Sequence, residues 1–126
     1  MGQRDRDAPD FERMLVENNI VLLKFYLHLR RKEQAQRFRE RLEIPHKKWK
    51  FSSADLETRR RWGDYTQAYE EMLNATSRTD ARWHLVPSDH NWYRNYVVAS
   101  TVVAAMESLH LKWPKPKEDL SKIRIK

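Results

Sequence analysis

Residues 20–29, IVLLKFYLHL, decide the fold of this chain. The run is almost continuously apolar, with β-branched and aromatic members. Such a run suits a strand covered on both faces, the kind found in parallel sheets. Upstream, Asp10 is placed to cap a short helix from Phe11 to Glu17, and Asn18 and Asn19 can take a left-handed helix end. Downstream, Lys32 to Leu42 has helical spacing: Ala35, Phe38 and Leu42 fall on one side, and Arg30, Arg37 and Arg41 lie near one another on a different side. Pro45 ends or bends that segment, and residues 43–52 follow as an exposed basic connection. Ser52 or Ser53 caps the next helix, which carries Glu57 in its first turn and runs to about Ala75. Trp83 to Val86 is a short strand stopped by Pro87. Asp89 is placed to cap a last, largely buried helix from His90 to His110. The tail from Lys112 is basic and extended, with Trp113 as its one anchor. Strands alternating with helices in this order argue an α/β fold with parallel pairing.

At 126 residues the chain is one domain at most. Its composition, 40% hydrophobic and 34% charged with 5 Trp and 5 Tyr, is globular and too aromatic for a disordered tail. The net charge of +7 points to an anionic partner or substrate. There is no cysteine, which removes disulfides and thiolate metal sites and fits a cytoplasmic location. The first residues, MGQRDRDAPD, lack the apolar core of a signal peptide. The longest apolar run, Val97 to Met106, is far short of the ~20 residues of a membrane span.

The cations cluster. Arg37, Arg39, Arg41, Lys47, Lys48 and Lys50 surround the turn at Pro45, inside a stretch, Glu33 to Tyr69, that reads as a phosphate-handling lid. Arg37 and Arg41 are four apart, so both guanidiniums can address one anion with planar paired donors. The plain alternative is a solvated helix face paired with Glu33 or Glu40. Lys47, Lys48 and Lys50 flank Trp49 and can track a chain of phosphates, or they form an ordinary solvated loop. Yet the only glycines are Gly2 and Gly63, so a glycine-rich loop whose backbone N–H groups approach a phosphate is absent.

Other constellations carry less. The stripe Trp62, Tyr65, Tyr69, Met72 is expected in the core. Asp64 and Glu70 point different ways on a helix and are expected to be solvated or paired with Arg60 and Arg61. The histidines at 28, 46, 84, 90 and 110 have no ligand spacing, and no metal site is assigned.

The chain resembles the C-terminal half of the family-2 polyphosphate kinases, which are P-loop, thymidylate-kinase-like phosphotransferases. The resemblance runs over residues 10–118. It rests on the ordered succession Trp49-Lys50, Asp55, Trp62, Asp64-Tyr65, Tyr69-Glu70, Thr76, Trp83, Pro87 and Asp89-His90-Asn91-Trp92. Asn91 stands where the family usually has lysine, Arg82 where a small residue or proline is usual, and Trp113 where tyrosine is common. The resemblance implies phosphoryl transfer between inorganic polyphosphate and nucleoside phosphates, with Mg²⁺. It also implies that the phosphate loop and the Walker B-like aspartate belong to an N-terminal half not found in these residues.

The fold expected is therefore a partial P-loop kinase-like parallel sheet of about two strands, with helices and a basic lid, lacking the N-terminal half. One partial domain is expected over residues 1–126: frayed at 1–9, an α/β body at 10–111 with the lid at 37–52, and a basic tail at 112–126. The phosphate- and polyphosphate-binding candidates are Arg37, Arg41, Lys47, Lys48 and Lys50, with Arg37 and Arg41 as lid residues of an incomplete catalytic site. On this reading the chain is inactive alone. Two alternatives stand beside it: a non-catalytic polyanion- or nucleic-acid-binding module, and a fragment that complements a separate P-loop chain. The partners implied are polyphosphate, a nucleotide, and either a second copy or an N-terminal half; no membrane is implied.

Overall fold

The computed structural model describes residues 3–119, 121, 123 and 124, with residues 3–7 described by their helical backbone alone. The elements are α1 (Gln3–Glu17), β1 (Lys24–His28), α2 (Arg31–Glu43), a 3₁₀ segment (Pro45–Lys50), α3 (Ser53–Arg60), α4 (Trp62–Thr76), β2 (Trp83–Pro87) and α5 (Asn91–Ser108). The two strands pair in parallel, in register from Lys24 opposite Trp83 to His28 opposite Pro87. The α/β class and parallel pairing agree with the alternation of apolar runs.

Several boundaries differ from expectation. Helix α1 begins at Gln3 rather than after Asp10, and Pro9 and Asp10 lie inside it, so residues 3–9 are helical rather than frayed. Its end is as expected: Asn19 adopts a left-handed φ of 61°, and Ile20 N–H donates to Leu15 O at 3.0 Å. The strand is five residues, not ten, because β2 offers only five partners. Ile20 and Val21 precede the ladder and are exposed. The basic connection is not an open loop but a 3₁₀ turn opened by Pro45. The following helix breaks at Arg61 into α3 and α4. Ser52 caps α3 as expected, its Oγ accepting Ala54 N–H at 3.3 Å.

The packing centre is charged. Lys24, the one lysine in the apolar run at 20–29, is buried. Its Nζ donates to Glu12 Oε2 and to Thr76 O, each at 2.7 Å, and lies 5.0 Å from the centre of the Trp83 ring. Trp83 Nε1 donates to Thr76 Oγ1 at 2.9 Å. This network ties α1, β1, α4 and β2 together, and it satisfies groups that would be costly to bury unpaired.

The rest of the apolar surface is thinly covered. Among the described residues the buried hydrophobic side chains are Ala81 and Val86. Helix α5 has no buried residue, and Trp92, Tyr96, Val103 and Met106 are exposed, against the expectation of a largely buried helix. Trp113 is 97% exposed and anchors nothing. The reason is width: a two-stranded sheet is too narrow to cover the helices that flank it.

The ladder also fixes which backbone groups are spent. Ser88 N–H donates to His28 O at 2.8 Å, so His28 turns its main-chain polar groups toward β2. Alternation then turns Tyr26 and Lys24 the same way, and Phe25 and Leu27 toward the outer edge of β1.

Candidate anion-binding site

Open parallel sheets present ligand sites beyond the carboxyl ends of their strands. Here those ends are His28 and Pro87, and the chain beyond them converges. The turn Ser88–Asp89 meets the start of α2. The Asp89 carboxylate accepts the Arg30 backbone N–H at 3.0 Å and also pairs with Arg30 Nε. The two main-chain carbonyls of the turn accept Arg37 Nη2, Ser88 O at 2.8 Å and Asp89 O at 3.0 Å. Arg37 Nε donates to Glu33 Oε1 at 3.1 Å. Asp89 thus serves the start of α2; the expected cap on α5 is not made, since α5 begins after His90 with no side-chain cap. The backbone N–H of Arg30, followed by its side chain, holds the Asp89 carboxyl below the usual carboxylate range, against an opposing effect of burial.

Arg37 and Arg41 share a helix but not a task. Arg41 Nη1 lies 3.4 Å from Asp55 Oδ2, and its guanidinium sits 5.5 Å from the Phe38 ring centre. Lys47 Nζ pairs with Glu40 Oε2 at 3.0 Å, and that hydrogen bond lowers the Glu40 pKa. Lys48 and Lys50 are exposed, with Lys50 Nζ 5.2 Å from the Trp49 ring centre. The five sequence candidates therefore lie along α2 and the 3₁₀ turn. Arg37, Arg41 and Lys47 are tied to acidic or carbonyl partners, and Lys48 and Lys50 are turned to water. Arg30 was the residue missed as a candidate, although its neighbourhood with Arg37 was visible in the spacing.

The aromatic stripe of α4 is not core. Trp62, Tyr65 and Tyr69 form one wall of an open groove of about 770 Å³, facing Tyr26, Leu27 and Leu85 of the sheet. Tyr26 and Tyr69 have ring centroids 5.3 Å apart. Burial, then the neighbouring Tyr69 and Glu70, push the Tyr26 hydroxyl pKa up. Asp64 pairs with Arg61 at 3.1 Å, as expected.

Among the described residues no three His, Asp or Glu side chains are placed to hold a metal ion. Nor is any helix of the described residues long and apolar enough to cross a membrane.

The family model described as polyphosphate kinase 2 matches residues 1–114. The AMP/ADP-polyphosphate phosphotransferase of Meiothermus ruber is 43% identical over 98% of this chain and 46% of its own length. The ADP-polyphosphate phosphotransferase of Rhodopseudomonas palustris is 41% identical over 90% of this chain and 39% of its own length. A protein of Leptolyngbya boryana, an uncharacterized protein in the chlN 3′ region, is 40% identical over 92% of this chain and 85% of its own. The crystal structure of polyphosphate kinase 2 from Arthrobacter aurescens TC1 superposes with a TM-score of 0.90 at 36% identity, covering 94% of this chain and 43% of that one. This chain thus spans less than half of the two named phosphotransferases. With a two-stranded parallel sheet, a cation-rich helix at its carboxyl end and a family match over residues 1–114, the chain belongs to the polyphosphate kinase 2 family.

Proposed function

We propose that this chain provides the basic, lid-bearing half of a phosphotransferase that moves a phosphoryl group between inorganic polyphosphate and a nucleoside phosphate. One phosphorus–oxygen bond of the polyphosphate terminus breaks, and one forms to a terminal oxygen of the nucleotide. The observation that carries the reading is the line of cations from Arg30 through Arg37 and Arg41 to Lys50, beyond the carboxyl ends of two parallel strands. Cations at that place neutralise the transferring phosphoryl group, in which charge spreads over the peripheral oxygens. Lys48 and Lys50 extend the line for a polyanion with a charge on every phosphate.

These 126 residues bind but do not turn over on this reading. They carry no glycine-rich cradle, having only Gly2 and Gly63, and no metal-holding cluster among the described residues. The missing parts come from a second body that adds a strand to β1. The outer edge of β2 carries Pro87, which has no N–H to donate, and prolines in sheets keep to edges. The outer edge of β1 has free N–H groups at Phe25 and Leu27. A cytoplasmic location belongs to the same proposal and agrees with the lack of cysteine.

The same two absences favour a second reading, a polyanion-binding module without chemistry. Binding separates neither reading from the other but tests both. Long-chain polyphosphate should bind the chain, with affinity falling as salt rises. Replacing Lys47, Lys48 and Lys50 together by Ala should weaken binding and flatten its salt dependence. An unchanged slope would place the anion elsewhere.

A further inference from the structure

Arg30 is held in an unusual way for a surface arginine. Its side chain is 72% exposed, while that of its partner Asp89 is 13% exposed beneath it. Asp89 takes both the Arg30 backbone N–H and Nε. Among the described residues neither Nη of Arg30 makes a hydrogen bond or ion pair. The guanidinium is thus fixed at its inner nitrogen and presents its two outer ones to solvent. Arg30 lies seven positions before Arg37, two helical turns, and both reach the turn Ser88–Asp89. A fixed guanidinium loses little freedom when it meets a phosphate, so each hydrogen bond it forms costs less entropy.

We propose that Arg30 is a phosphate contact of this site and that Asp89 is its positioning residue. The inference rests on the anion-binding reading above. It has a consequence that runs against charge counting. Removing a carboxylate from beside an anion site ordinarily strengthens anion binding, because a repulsion is lost. If Asp89 positions Arg30, removing its charge weakens binding instead. A purely structural Asp89 predicts little change on replacement by Asn, since the amide oxygen still accepts the Arg30 N–H that starts α2.

The test measures binding of a fluorescent long-chain polyphosphate at low salt to the full chain and five variants. Asp89→Asn should bind more weakly, by about fivefold, on the scale of one charge-assisted hydrogen bond. Asp80→Asn, which removes the same charge from a carboxylate paired with Arg78, should bind as well as the parent or better. Arg30→Gln should weaken binding similarly, and Asp89→Asn added to it should cost nothing further, because the two act through one nitrogen. Arg30→Lys covers the case in which Asp89→Asn does not fold: it keeps the charge but not the Nε–H, so it should bind like Arg30→Gln. Tighter or unchanged binding by Asp89→Asn, additive losses in the double variant, or parent-like binding by Arg30→Lys overturns the inference and leaves the anion site standing. No binding of polyphosphate by the parent chain overturns the anion site itself.

Discussion

Glu12 and Lys24 form a 2.7 Å ion pair in which the two side chains are 14% and 7% exposed, the most enclosed charge pair among the described residues. It joins α1 to β1 across the turn at Asn19, and Thr76 O accepts a second hydrogen bond from the same ammonium. Burying two charges is expensive, so the pair contributes little net stability; breaking it is another matter. Glu12→Gln should destabilise the fold by about 3–5 kcal/mol, because Lys24 is left charged and half-partnered. The double variant Glu12→Leu, Lys24→Met should recover most of that loss, minus about 1–3 kcal/mol for the orphaned Thr76 carbonyl. Urea unfolding measures both. A Glu12→Gln midpoint equal to the parent's contradicts this account of the packing centre.

The open groove and the outer edge of β1 predict association. Leu85 is 64% exposed on a sheet face, and Leu27, Tyr65 and Tyr69 are exposed around it. Each large apolar side chain left in water forgoes roughly 1.5–3 kcal/mol, against a total stability of ~5–15 kcal/mol for an ordinary domain. Sedimentation should show self-association, or melting should be broad. Hydrogen exchange should protect the Tyr26 and His28 amides, which face β2, and leave those of Phe25 and Leu27 fast in any monomer. A sharp, concentration-independent melt from a clean monomer contradicts the claim that these residues leave a face uncovered.

Acid should weaken the link between Asp89 and Arg30. The Asp89 carboxyl titrates below its ordinary 3.8, first through the Arg30 backbone N–H and then through the Arg30 side chain. A folded value below the unfolded one means stability that is present above pH 3.8 and lost as pH falls through the folded value. Glu40 and Asp80 shift the same way, through Lys47 and Arg78. Melting temperatures of the parent and Asp89→Asn should differ near neutrality and converge below pH 3.8. Curves that stay parallel through that range show that the Asp89 charge is not what holds Arg30.

Much of the fold was legible because its signals are local. The apolar run at 20–29, the left-handed Asn19 and the Ser52 cap each depend on neighbours in sequence. What was misread depends on distant partners. Asp89 before a helix reads as its cap, but the competing Arg30 N–H lies 59 residues upstream. The run at 20–29 reads as almost continuously apolar, and only Glu12, Thr76 and Trp83 together make its Lys24 a packing centre. The stripe at Trp62, Tyr65 and Tyr69 has core periodicity, but periodicity does not say whether the covering surface lies within the same residues. For the site, the spacing of Arg37 and Arg41 put cations on one helix. It could not reveal that Asp55 takes one and the Ser88–Asp89 carbonyls the other.

The central claim, half of a phosphotransferase rather than a whole one, is tested most directly by turnover. The chain is incubated with polyphosphate, Mg²⁺ and a nucleoside diphosphate, alone and with the part of the Meiothermus ruber relative that lies outside the matched region. The account predicts no nucleoside triphosphate from the chain alone and formation of triphosphate from the mixture, lost again when Arg37 is replaced by Ala. Turnover by the chain alone, abolished by the same replacement, would contradict the account.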